Sequence, residues 1–136
     1  MPLRRKIWLA LLPVMLLLML WLPPLWLKEQ PVEIACPDIV AGCRSPQAGL
    51  KVQFDRRPRP MQEFHVLVEL SGAREVHASF SMHDMEMGLN RYRLLPDGPA
   101  RWRAGVMLPA CVQGRQDWLM VLEVDGRRYQ IPFASD

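Results

Sequence analysis

Past its first six residues the chain has no excess of either charge. Arg4, Arg5 and Lys6 account for the formal net charge of +3, and the remaining 14 basic residues balance 14 acidic ones. That removes the basic footprint expected of a nucleic-acid partner. Signatures of catalysis are missing too: no Gly-rich phosphate loop, no H-E-x-x-H, no Walker pattern and no G-x-S-x-G elbow. Asp84 and Glu86 lack the cleft and substrate site that an acid/base pair needs. The expectation is a protein that is not an enzyme and has no small-molecule substrate. Cysteine is scarce, at three residues, and no C-x-x-C occurs, so a redox role is disfavoured. Beyond residue 27 no stretch of a dozen residues has helical spacing.

What the chain does have begins at its N-terminus. Residues Ile7 to Leu27 form an uncharged run of 21 residues behind the basic cluster. A helix of that length rises about 30 Å, enough to cross the hydrocarbon core of a bilayer. Basic residues before the run and none clustered after it orient the N-terminus toward the cytoplasm. A cleaved secretory signal is the rival reading. The run is longer than the usual apolar core of about 7–15 residues, and no small-x-small cleavage pattern follows Pro23-Pro24. "EIAC" supplies no lipobox. The expectation is one uncleaved, single-pass anchor over 1–27, a linker over 28–48 and an exported domain over 49–136. In an oxidising compartment Cys36, Cys43 and Cys111 are expected to give one disulfide and one spare thiol, with the pairing open.

From Gly49 the apolar period becomes two. "LKVQF", "FHVLVEL", "EVHASFSM", "NRYRL", "RWRAGVML", "WLMVLEV" and "YQIPF" read as seven short strands. Ser71-Gly72, Asp97-Gly98 and Asp125-Gly126 punctuate them, the last two being hairpin dipeptides. The expected fold class is all-β, an immunoglobulin-like β-sandwich of about seven strands behind the transmembrane helix. Trp102 and Trp118 read as plugs between the sheets, and Met107 and Met120 as strand packing. "DRRPRP" reads as a solvated loop held open by its prolines.

The densest chemistry lies in "SFSMHDMEMGLNRYRL", where Met82, Met85 and Met87 crowd around His83. If the strand runs on past Met82, period two sends Val76, Ala78, Phe80 and Met82 inward. It then sets His83, Met85 and Met87 on the opposite face at i, i+2 and i+4. One imidazole and neutral thioethers suit Cu(I), because soft ligands select it. Zinc prefers thiolate, imidazole and carboxylate, and calcium would find too few oxygens in Asp84 and Glu86. The same methionines also serve as flexible core filler or as an adaptable contact surface. The candidate metal residues are therefore Met82, His83, Met85 and Met87. Gly88 and Asn90 are expected to turn the chain after them.

The array "FSMHDMEMGLNRYRL" followed by "WRAGVMLPACVQGRQDW" resembles small bacterial membrane-anchored proteins linked to copper handling and cytochrome oxidase assembly. More loosely, residues Leu50 to Phe133 are similar to periplasmic domains of the FixH and YtkA type. The resemblance implies a bacterial inner-membrane protein whose C-terminal domain lies in the periplasm. It also implies a partnership with a respiratory oxidase or a copper-delivery protein, and ligands at Met85 and Met87, joined by Met82 and His83. The chain departs from the well-defined periplasmic copper chaperones in lacking their further spaced His and Met ligands. It also lacks the C-x-x-x-C of thioredoxin-like copper-insertion proteins.

Overall fold

The computed structural model describes residues 2–21, 29–82, 84–85 and 90–136. Among the described residues a helix, α1 (Pro2–Trp21), precedes ten strands. Its uncharged part within the described residues is Ile7 to Trp21, with Pro13 inside it. The described side chains from Leu11 to Trp21 other than Pro13 are all large, apolar and exposed. Among the described residues no helix is long and apolar enough to cross a membrane. The last six residues of the expected span, 22–27, lie outside the described residues.

All seven runs of alternating residues form strands. They are β3 (Leu50–Phe54), β4 (Glu63–Glu69), β5 (Val76–Met82), β6 (Arg91–Arg93), β8 (Arg101–Met107), β9 (Asp117–Val124) and β10 (Arg127–Ala134). Three very short strands join them: β1 (Val32–Glu33), β2 (Cys43–Ser45) and β7 (Leu95–Pro96). The chain folds into two five-stranded sheets, ordered β1-β10-β9-β5-β6 and β2-β3-β4-β8-β7. Every pairing is antiparallel except that of β1, which lies parallel to the last strand.

The expected linker needs correction. Residues 32–45 supply β1, β2 and three core side chains, Ile34, Ile39 and Cys43. Cys36 and Cys43 are disulfide-bonded, with Cα atoms 5.3 Å apart, and Cys111 is the free thiol. Inside the closed loop the Asp38 carboxylate accepts the Val40 N–H at 2.9 Å. The Phe54 N–H donates to the Ile39 carbonyl at 3.0 Å, stitching the loop to the second sheet. No period marks this stretch because the cross-link and local turns order it, where a long ladder would leave an alternating pattern.

Period-two burial builds the core. The strand β5 alternates buried and half-buried at every step, and β3 does the same. The four phenylalanines of the chain meet between the sheets. Phe54 packs on Phe64 at 4.9 Å and on Phe133 at 5.2 Å, while Phe80 meets Phe64, Tyr92 and Phe133 edge-on at 6.0–6.2 Å. Such tilted pairs add about 0.5–1.5 kcal/mol each beyond area burial. Trp118 is buried as expected, its Nε1–H donating to Ser135 Oγ at 3.2 Å. Trp102 is half-buried.

The sheet edges are managed by individual side chains. Leu94 is buried where the chain leaves β6 for β7 in the other sheet. Beyond β7 the edge of β8 is met by Tyr92. Its hydroxyl donates to the Met107 carbonyl at 2.9 Å and accepts the Met107 N–H at 3.4 Å. On the other sheet β1 covers β10 only at Tyr129 and Gln130, with Ile34 N–H reaching the Gln130 carbonyl. The next position on that open side is Pro132, which has no N–H. Between β9 and β10, Asp125 and Gly126 both take positive φ (47° and 88°), the hairpin geometry the dipeptide favours.

"DRRPRP" is more than a solvated loop. Pro58 is buried and its carbonyl accepts the Asp136 N–H, while Arg57 and Arg59 reach the Asp136 carboxylate at 3.5 and 3.7 Å. Two expectations follow for chemical unfolding of the full chain in detergent. Phe80→Ala should lower stability by about 3–5 kcal/mol, as large-to-small changes of a buried aromatic do. Tyr92→Phe should lower it by about 1 kcal/mol, the net worth of one hydrogen bond.

Candidate functional site

Strand direction separates two ends of the sandwich. The turns at 46–49, 71–74, 97–100 and 125–126 lie at one end. The connections 55–62 and 108–116 lie at the other, with Met82, Asp84, Met85, Asn90, Ser135 and Asp136. Because β1 runs parallel to β10 from its start, the chain arrives at the first end. There Glu29, Gln30 and Val32 share a surface groove with Arg127 and Arg128. Met82 and Met85 are at the opposite end, about 26 Å away along an eight-residue strand.

At that end the expected geometry changes. The strand does not run on: β5 ends at Met82, paired with Trp118 of β9. The Met85 N–H turns back to the Met82 carbonyl at 3.2 Å, and the two residues form an isolated antiparallel bridge. Asp84 sits in the turn with φ of 62°, a left-handed conformation that Asp tolerates better than most residues. The strand β5 thus stops short of Met85, which was to stand in the outward row with His83 and Met87. Met82 is 2 % exposed and belongs to the core, while Met85 is half-buried against it. His83, Glu86, Met87 and Gly88 lie outside the described residues.

Cys111, half-buried against the core, is in the neighbouring 108–116 connection. From the same connection Arg115 Nε donates to Asp117 Oδ1 at 2.9 Å, with a second bond from Nη2 to Oδ2. Those bonds and the Asp117 charge hold the guanidinium above its ordinary pKa, and the nearby Asp84 and Cys111 add to the shift. Part of the Asp84 charge thus acts on an arginine.

The outer face of the second sheet holds a cluster that the strand pattern did not single out. His65 on β4 is gripped by Asp55, just beyond β3. One Asp55 oxygen accepts the His65 backbone N–H at 2.8 Å and the other lies 3.0 Å from Nδ1. The Asp55 N–H returns to the His65 carbonyl at 3.1 Å. On the other side of the ring, Nε2 lies 3.6 Å from Glu63 Oε1. Met107, expected as packing, instead points outward with 43 % exposure, directly across from Glu63. Parity alone could have flagged it, since Val106 and Leu108 are its buried neighbours. Among the described residues no three of His, Cys, Asp and Glu gather as a metal-holding group.

Comparison of the chain with protein-family models, with curated proteins and with solved structures gives no match.

Burial pushes the Asp55 carboxyl up. The His65 backbone N–H, its ring and the Arg56 charge outweigh that and hold it below the ordinary carboxylate value. A lowered folded-state value means the interaction stabilises the fold above the unfolded value of about pH 4 and is lost as pH falls through the folded one. Asp55→Asn should therefore cost about 1 kcal/mol at neutral pH, on the scale of a charged hydrogen bond partly retained. It should also flatten the acid limb of a stability-versus-pH profile. An unchanged limb would mean that other carboxylates set it.

Proposed function

We propose that the chain is a membrane-anchored accessory protein of the bacterial inner membrane, with its immunoglobulin-like sandwich in the periplasm. The strand order β2-β3-β4-β8-β7 against β10-β9-β5-β6 supports the immunoglobulin-like connectivity. The exposed apolar side chains of α1 from Leu11 to Trp21 and the basic residues before Ile7 support the anchor. A disulfide fits an oxidising compartment.

In this reading the 83–87 segment offers His83, Met85 and Met87 to Cu(I), for copper homeostasis or cytochrome oxidase assembly. Met82 contributes packing beneath it. The observation that carries the proposal is the separation of the two ends, with Met82 and Met85 at the end opposite the one where β1 begins. A partner oxidase or copper-delivery protein would meet them without obstruction from the bilayer.

A second reading is a metal-free interaction module of a membrane complex. The burial of Met82 and half-burial of Met85 favour it, because thioethers committed to packing leave a contact surface and fewer ligands. Competition for Cu(I) between the detergent-solubilised full chain and a chelator separates the two. The copper reading expects affinity tighter than micromolar, weakened by at least about tenfold in a Met85→Ala, Met87→Ala double variant. Weaker binding, or binding indifferent to those substitutions, leaves the interaction module.

A further inference from the structure

We propose that His65, Glu63 and Met107 form a site for a divalent late first-row transition metal on the outer face of the second sheet. The β4–β8 register sets Glu63 opposite Met107 and His65 opposite Gly105, and all four positions are on the outward parity of their strands. This site uses none of His83, Met85 or Met87 and lies on a sheet face rather than in a loop.

The state of the imidazole comes first. An ionised carboxylate only accepts hydrogen bonds, so the 3.0 Å contact with Asp55 requires the proton on Nδ1. That leaves Nε2 as the nitrogen for a metal, and Glu63 Oε1 lies 3.6 Å from it. Two ligands held at about 2.0–2.1 Å from one metal, at tetrahedral to trigonal angles, stand about 3.3–3.6 Å apart. The observed spacing suits a shared cation. A carboxylate on the far nitrogen is also the usual partner of a metal-bound histidine, fixing its tautomer and raising its basicity.

Gly105 makes the approach possible. A Cβ there would come within 2.8 Å of Glu63 Oε1 and 3.8 Å of His65 Nε2, so any other residue would push the carboxylate aside. Met107 brings a thioether to the same face as a third donor. His65 and Gly105 also line an open cleft of about 390 Å³ that admits solvent for a further position. With nitrogen, oxygen and thioether donors, the general order of affinities puts Cu(II) ahead of Zn(II).

The test titrates the full chain in detergent with Cu(II) alone, followed by calorimetry and electron paramagnetic resonance. The expected result is one equivalent bound with hyperfine coupling to a single imidazole nitrogen. Affinity should fall by about tenfold or more in His65→Gln and in Glu63→Gln, and measurably in Gly105→Ala. The last variant displaces only the tip of a flexible side chain, so its melting temperature should stay at the wild-type value and separate ligation from folding. Absence of stoichiometric binding, or binding unaltered in Glu63→Gln and Gly105→Ala, would overturn the proposal. Neither result bears on Cu(I) binding by the loop, which is read with the other variants.

Discussion

Phe80 is the point through which the two sheets hold each other. Its ring meets Phe64 of the opposite sheet and both Tyr92 and Phe133 of its own, each edge-on. Those contacts fix the height of β5 against the core. They therefore fix where Met82 is sealed and where the chain must turn. Tyr92, seated on the same ring, carries the constraint to the far sheet through its hydroxyl on Met107. A sandwich without a long helix to cap it depends on this kind of direct sheet-to-sheet registry.

Both candidate metal positions inherit their geometry from that registry, in opposite ways. The chain turns back at Asp84, so Met82 is sealed in the core and Met85 is half-buried against it. The His65 cluster stands on two central strands of the second sheet, where neighbouring ladders hold each Cα. Sites built on strands keep their spacing better than sites built on loops. The Asp55–His65 pair shows the benefit, since a backbone bond and a ring bond run from one carboxylate.

The long strands were legible because alternation over five to eight residues survives any choice of turn, as in β5 and β9. The strands β1, β2 and β7 were not, because two or three residues carry no period. Met82 was readable as core by parity. The turn from Met82 back to Met85 was not, since it rests on a left-handed Asp84. The His65 cluster was invisible for a different reason. Asp55 is ten residues away and Gly105 forty, and only the register of β3, β4 and β8 brings them together. The pairing of Cys36 with Cys43 was open among three choices until the fold set their Cα distance.

Pro132 has a consequence for self-association. A sheet margin with free amide donors invites a neighbouring polypeptide to dock and extend it. Here β1 shields the first half of the last strand, and the imino ring interrupts the donor series just beyond it. Replacing that ring with any ordinary residue would restore a template for self-association while leaving every buried contact in place.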